Sequence, residues 1–335
     1  MNIGIIGFGY WGTNLVRNFA LQKDADLKVV VDSRKEREGV LTKLCPTATF
    51  STSAEELIKN KDIDAIVIAT PVHTHFELAK KALDNDKHVL IEKPMVPSTE
   101  EANILIDLAN KKGKVLMVDH TFLYTGAIKK MKELIDSGDI GNIKYFDSTR
   151  INLGLFQPDI NVLWDLAPHD ISILNYLINE KPRSVQATGV SHTNNGIENI
   201  AYINVNYDSG FMAHFSCSWT SPVKIRMMLI GGDKKMIVFN DVEPTEKIKV
   251  YDTGYEHKTD EEKKQVLVDY RTGDIFTPKL ETKEALSGMA ADFISAIKNN
   301  HSPLSDYNSG LEVIRILEAT QVSIKNNGKE VLVKQ

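Results

Sequence analysis

The sequence predicts an α/β protein of two domains. Residues 1–121 read as a doubly wound parallel sheet of Rossmann type, covered by helices. Residues 122–335 read as a second α/β domain with a large open, mostly antiparallel sheet. Three observations predict this. Short apolar runs alternate with amphipathic stretches through the first 120 residues, the pattern of strands buried on both faces and joined by helices. A glycine-rich loop separates the first run from the first helix. Beyond about residue 121 strand-type alternation takes over, and a length of 335 residues suits two domains of ~150 each.

The apolar runs fall at residues 2–6, 27–31, 65–69, 87–91 and 115–118, and the amphipathic stretches near 11–22, 54–60, 74–84 and 98–112. Ser98, three residues before Glu101, has the spacing of a capping box opening the last of these helices. In the second half a helix is expected over 127–137 and a strand over 143–152. Pro168 is placed in the first turn of a helix running to 178, a position proline tolerates. Strands dominate from 185 to about 251. In one of them Phe211, Ala213, Phe215, Cys217 and Trp219 share a face, opposite Met212, His214, Ser216 and Ser218, after a hairpin signal at Asp208-Ser209-Gly210. Residues 252–264 read as a charged loop, and helices over 281–300 and 308–325 close the chain.

Composition excludes several function classes. Forty Lys and Arg against 45 Asp and Glu leave a net charge of −5, which disfavours a nucleic acid or an anionic membrane as partner. Hydrophobic residues at 42% and charged residues at 25% are ordinary for a globular protein with a sizeable core. No apolar run approaches the ~20 residues of a membrane helix. No basic stretch or cleavage site precedes the first strand, so no signal peptide is expected. Cys45 and Cys217 match no metal spacing and read as buried thiols in a reducing, cytoplasmic setting.

Gly7-Phe8-Gly9-Tyr10-Trp11-Gly12 matches G-x-G-x-x-G between a strand and a helix. In a dinucleotide site the first glycine allows the tight turn, the second lets the backbone approach a pyrophosphate, and the third allows close helix–strand packing. The helix N-terminus then holds the phosphates. Asp32 closes the second strand 20 residues after Gly12, where a carboxylate accepts hydrogen bonds from both ribose hydroxyls. The alternatives are a structural turn with a surface Asp and a methyltransferase loop. A 2′-phosphate beside Asp32 would be repelled, which favours NAD. Ser33 and the adjacent Arg34 keep NADP possible.

Thr70-Pro71 ends one apolar strand, His75 follows, and Glu92-Lys93-Pro94 ends the next. Both segments lie at carboxyl ends of strands, where open α/β sheets bind ligands. They read as further cofactor contacts: Thr70, Pro71, His75, Glu92 and Lys93. A Lys between Glu and Pro is by itself more often a solvated cation. The segment TPVHTHFELAKKALDNDKHVLIEKPMVPSTEEA, the glycine loop, Gly138-Asp139-Ile140-Gly141, Asp165-Leu166-Ala167-Pro168-His169-Asp170 and the closing helices together resemble the glucose–fructose oxidoreductase, inositol dehydrogenase and MocA family. The resemblance spans nearly the whole chain. It implies a Rossmann domain followed by an open-sheet domain, and a catalytic group of Lys93, Asp165 and His169. It also implies a cis Lys93–Pro94 peptide and a homo-oligomer, dimer or tetramer.

Oxidising a secondary alcohol removes a proton from oxygen and a hydride from carbon. His169 is suited to take the proton near neutral pH. If Pro168 places it in the first helical turn, the helix dipole disfavours imidazolium and keeps it a base. Otherwise His169 is a packed helix histidine. Asp165 either orients that ring and contacts substrate or is the helix N-cap. Lys93 stabilises the developing alkoxide. No metal is implied, because His73, His75, Asp165 and His169 make no closed ligand set.

The segments 148–154 and 161–164, with GYWGTNLVRNF, look most like a branch acting on nucleotide-linked hexoses and hexuronic acids. Arg150 either pairs with a substrate carboxylate or phosphate or is a surface cation. Asn152 and Asn161 are candidates for sugar hydroxyls. Tyr124 lies where the family often places a substrate contact, with His120 nearby. Three functions compete: a sugar or nucleotide-sugar dehydrogenase, an inositol or free-sugar dehydrogenase, and a silent dinucleotide sensor.

Overall fold

The computed structural model describes residues 1–154, 156–157, 160–193, 196–256 and 269–335. The chain forms two compact units, Met1–Thr125 with Lys283–Arg315, and Gly126–Thr282 with Ile316–Gln335.

The first unit holds six parallel strands: β1 (Asn2–Ile6), β2 (Asp26–Val31), β3 (Thr49–Ser51), β4 (Ala65–Ile68), β5 (His88–Glu92) and β6 (Leu116–Asp119). Their order is β3-β2-β1-β4-β5-β6, the doubly wound arrangement of a dinucleotide-binding sheet. Ile3, Ile5, Val30, Ile66, Val67, Leu90 and Val118 are fully buried, because helices cover both faces. Those helices are α1 (Tyr10–Ala20), α2 (Glu38–Leu44), α3 (Ala54–Lys59), α4 (His75–Asp84) and α5 (Thr99–Lys112). Ser98 caps α5 as its spacing predicts, its side chain accepting from the Glu101 N–H at 3.2 Å, and Gly113 ends it at φ 61°. Strand β3 and helix α2 have no counterpart in the sequence analysis, since three and seven residues are too short to display a period.

The unit boundary differs from the division at 121/122. Helix α8 (Ala285–Asn299) and the start of α9 (Tyr307–Lys325) belong with the first unit. Phe293 of α8 meets Phe19 of α1 edge-on at 6.4 Å. Glu284 receives both guanidinium nitrogens of Arg17 and the Asn18 amide. A linear division cannot register partners separated by 267 positions.

Among the described residues the second unit carries a nine-stranded sheet: β7 (Ile143–Leu153), β8 (Ser184–Val190), β9 (Ile200–Asn206), β10 (Met212–Ser218), β11 (Thr220–Gly232), β12 (Met236–Asn240), β13 (Ile248–Tyr251), β16 (Ile275–Phe276) and β17 (Val331–Leu332). The short strands β14 (Gly254–Glu256) and β15 (Asp269–Arg271) pair separately. Only β7 and β10 run parallel among these described neighbours. Helix α6 (Gly126–Asp136) packs on α7 (Val162–Leu177), and α7 lies across β7, β9 and β10. As the alternation predicts, Phe211, Ala213, Phe215, Cys217 and Trp219 are buried. Most of the expected loop at 252–264 lies outside the described residues.

Helix α7 begins six residues before Pro168, which corrects the expected first-turn position. Asn161 is the N-cap, its side-chain oxygen accepting from the Leu163 and Trp164 N–H groups at 3.2 Å each. Pro168 is an interior residue. It removes one donor from the helix, and tertiary packing carries the helix through, since 11 of its 16 residues are buried. Among the described residues no helix is long and apolar enough to cross a membrane.

Candidate functional site

The glycine loop lies between the end of β1 and α1, next to the point where the strand order reverses. Gly7 has φ +98°, and a Cβ there would run into the Ala69 carbonyl. At Gly12 a Cβ would strike the Gly7 carbonyl. Both glycines serve the protein's own packing. At Gly9 a side chain would meet only Arg34 Nη2, at 3.8 Å. Packing within the unit does not demand glycine there, whereas the close approach of a pyrophosphate at the start of α1 does. The loop therefore fits a dinucleotide. Tyr10 is 82% exposed and Trp11 half exposed, their rings edge-to-face at 5.6 Å, while Phe8 is fully buried. Arg37 braces the loop: it donates to the Phe8 carbonyl at 2.8 Å and to Thr13 Oγ1 at 3.0 Å, and lies over the Phe8 ring.

Asp32 stands where the sequence predicts, at the end of β2, but its oxygens are engaged. It accepts from the Phe8 N–H at 2.8 Å and from the Arg34 N–H, Nε and Nη2 at 2.9 Å each. The Arg34 guanidinium holds this carboxyl down at about 2, with burial opposing. Two ribose hydroxyls can reach Asp32 only as the exposed Arg34 side chain gives way. Ser33 is exposed beside it.

At the ends of β4 and β5 the peptide Lys93–Pro94 is cis. Thr70 Oγ1 pairs with Thr74 Oγ1 at 2.6 Å, and Pro71 is exposed. His75 is a brace: its Nε2 faces the Thr70 carbonyl at 2.7 Å, and its Nδ1 faces the Pro94 and Met95 carbonyls at 3.1 and 3.2 Å. The ring is buried, and burial pulls its pKa down. It ties the two motif segments together instead of offering a nitrogen to a cofactor. The Glu92 carboxyl is likewise turned to protein partners, the Lys93 N–H at 3.1 Å and Asp119. Lys93 is half-buried.

In the second unit Asp165 and His169 stand one turn apart on α7, both half-buried, a spacing that puts them on one helix face. Asp165 accepts from Trp219 Nε1 at 3.0 Å. Asn161, not Asp165, caps the helix. His169 is mid-helix, so the dipole argument for a neutral ring does not hold, because the effect fades within the first turn.

Three of the expected substrate contacts are turned to protein partners. Arg150 is 2% exposed and spans Asp170, its Nε and Nη2 at 2.9 and 2.5 Å from Oδ1, while Ser148 donates to the other oxygen at 2.7 Å. Its charge is neutralised inside the unit, as a buried cation requires. Asn161 uses its oxygen as the helix cap and its amide on Glu198 and Gln321, at 2.9 and 2.8 Å. Tyr124 is 6% exposed, and its hydroxyl bonds Asp292 at 2.7 Å and Ser305 at 3.1 Å, pinning the returning C-terminal segment. Asn152 is half-buried near the end of β7. The sequence does not single out Trp219, Arg37 or Asp119 for the site, whereas His120, expected beside Tyr124, is present there and buried. Trp219 and Asp165 are 54 positions apart, with no spacing signal to join them.

Residues 1–120 match the family model described as an oxidoreductase family with an NAD-binding Rossmann fold, and residues 128–238 match the GFO/IDH/MocA C-terminal domain. The chain is 32% identical over 194 residues to UDP-N-acetylglucosamine 3-dehydrogenase of Acidithiobacillus ferrooxidans, covering 57% of this chain and 58% of that protein. It is 26% identical to myo-inositol 2-dehydrogenase of Thermotoga maritima over 56% of this chain and 58% of that one. The aligned sequence spans about half the length of such curated relatives. A solved structure of the Acidithiobacillus enzyme superimposes with TM-score 0.81 at 25% identity, over 97% of this chain and 98% of that one. Levoglucosan dehydrogenase, solved with NADH and levoglucosan, shares the fold at TM-score 0.85 and 21% identity over both whole chains. With its NAD-binding Rossmann domain and its partner domain both matched, the chain belongs to the Gfo/Idh/MocA oxidoreductase family.

Proposed function

We propose that the protein is an NAD-dependent dehydrogenase of a sugar secondary alcohol, specifically a nucleotide-linked hexose oxidised at C3. The observation that carries this reading is the match along nearly the whole chain to UDP-N-acetylglucosamine 3-dehydrogenase, at 25% identity and TM-score 0.81. Arg150, buried against Asp170 at 2.5 Å, offers no free cation to a sugar carboxylate, which favours a neutral hexose over a hexuronic acid.

When bound, the dinucleotide supplies the acceptor for the hydride leaving carbon. An imidazole nitrogen of His169 takes the hydroxyl proton. Lys93 Nζ stabilises the alkoxide oxygen. Asp165, held by Trp219 Nε1 at 3.0 Å, orients the ring one helical turn on. The sheet face carrying Met212 and Tyr202, both exposed, supports a homo-oligomer, dimer or tetramer, which light scattering would size.

Turnover with NAD+ on UDP-linked hexoses, acidic sugars, free hexoses and inositols tests the reading. Nucleotide-linked hexoses are expected to react. Lys93→Ala and His169→Ala are each expected to lower kcat by roughly 10²–10⁴. Inositols or free sugars reacting as well would favour the second reading, which the 26% identity to myo-inositol 2-dehydrogenase supports. Tight NADH binding with no turnover on any member would make the chain a sensor.

A further inference from the structure

The ends of β5 and β6 carry an acid pair that the proposed chemistry does not use. Glu92 and Asp119 are register partners on adjacent parallel strands. They are 9% and 3% exposed, and their side chains are hydrogen-bonded to each other. Glu92 Oε2 also accepts the Lys93 N–H at 3.1 Å, and Asp119 accepts from Thr121 Oγ1. Lys93 is the charged side chain that faces both carboxyls. His120, next in the chain, is 1% exposed with neither ring nitrogen hydrogen-bonded.

Ionised carboxylates only accept hydrogen bonds, so two of them bond each other only when one keeps a proton. Like charges in one dry site do not both ionise. Burial first, then the Asp119 charge, pushes Glu92 well above the usual carboxyl range. Burial raises Asp119 against the hydrogen bonds from Thr121 and Glu92. The histidines nearby do not share the charge: burial and Lys93 hold His120 down at about 3, and burial lowers His75 beyond Pro94.

We propose that Glu92 and Asp119 hold one proton between them and, with a single negative charge, act as positioning residues that supply the countercharge to Lys93. The proposal rests on the assignment of Lys93 to the reaction above, but its first test does not need substrate. Infrared difference spectra of the full chain at about pH 8 should show a protonated-carboxyl C=O stretch that E92Q abolishes. A wild type without such a band overturns the proposal, whatever the substrate proves to be.

The kinetic test uses whichever sugar turns over. E92Q and D119N each leave one carboxyl to carry the charge, and each should lower kcat by less than about tenfold. The double variant leaves none and should fall by at least about threefold more than the product of the two, the size of coupling seen between contacting residues. A merely structural pair would give losses that multiply, and that result overturns the countercharge role. If the double variant does not fold, melting of E92Q against wild type decides. A carboxyl raised in the folded state contributes stability below its unfolded value of ~4.3 and loses it as pH rises. E92Q should therefore gain in Tm on wild type between about pH 5 and pH 8, and a constant difference overturns the shared proton.

Discussion

Asp32 meets four hydrogen-bond donors, three of them from Arg34, so cofactor choice depends on a neighbour two residues away. A bare carboxylate repels a 2′-phosphate, whereas one covered by a guanidinium repels it less. Arg34→Ala should therefore widen the preference for NADH over NADPH by about tenfold, one charge-assisted bond's worth of ~1.4 kcal/mol. Asp32→Ala, which leaves the guanidinium unpaired, should narrow it. Dissociation constants for both reduced forms check this, and an unchanged ratio in Arg34→Ala would remove Arg34 from the account. Arg150 calls for a different prediction. With Asp170 buried and paired to it at 2.5 Å, Arg150→Ala strands a buried carboxylate at a cost of ~3–5 kcal/mol. Denaturant melts should show this loss, and adding Asp170→Asn should recover part of it.

At the scale of elements, α7 decides what Asp165 and His169 can do. Its start is set by Asn161, whose cap bonds are worth ~0.5–2 kcal/mol, and its middle is held by burial despite Pro168. Both half-site residues ride on a helix whose position depends on packing against β7, β9 and β10. Trp219, immediately after β10, then fixes Asp165 through Nε1. Trp219→Phe keeps most of the ring packing and removes only that bond. It should lower kcat by about tenfold with little change in cofactor affinity. A variant with normal kcat would show that Asp165 is oriented by other contacts.

For the molecule as a whole, the notable feature is the return of Lys283–Arg315 to the first unit. Tyr124 is its pin, with Asp292 and Ser305 sharing one hydroxyl. Burial raises the Tyr124 pKa, so the phenol stays protonated and remains the donor to Asp292. Tyr124→Phe leaves these groups short of a partner, and a loss of ~1–3 kcal/mol in unfolding free energy is expected. A Tm equal to wild type would indicate that the aromatic contact of Phe19 with Phe293 and the Arg17–Glu284 pair suffice.

The local chemistry of the chain determined much by itself. Strands β1, β2, β4, β5 and β6, the glycine loop, Asp32 and the cap at Ser98 were legible, because apolar period, backbone freedom and capping act over a few residues. The alternating face of β10 was legible for the same reason. The partners of charged and polar side chains were not. Nothing near Arg150 in sequence says that Asp170 will meet it 20 positions on, nor that Arg34 will fold back on Asp32. Pro168 is a strong local signal for a helix start, while the burial that carries α7 through it comes from strands distant in the chain. Tyr124, Asn161 and His75 have the residue types of ligand contacts, and only the packing around them turned them inward. Tertiary structure decided these roles because a buried polar group must find its partner wherever the fold supplies one.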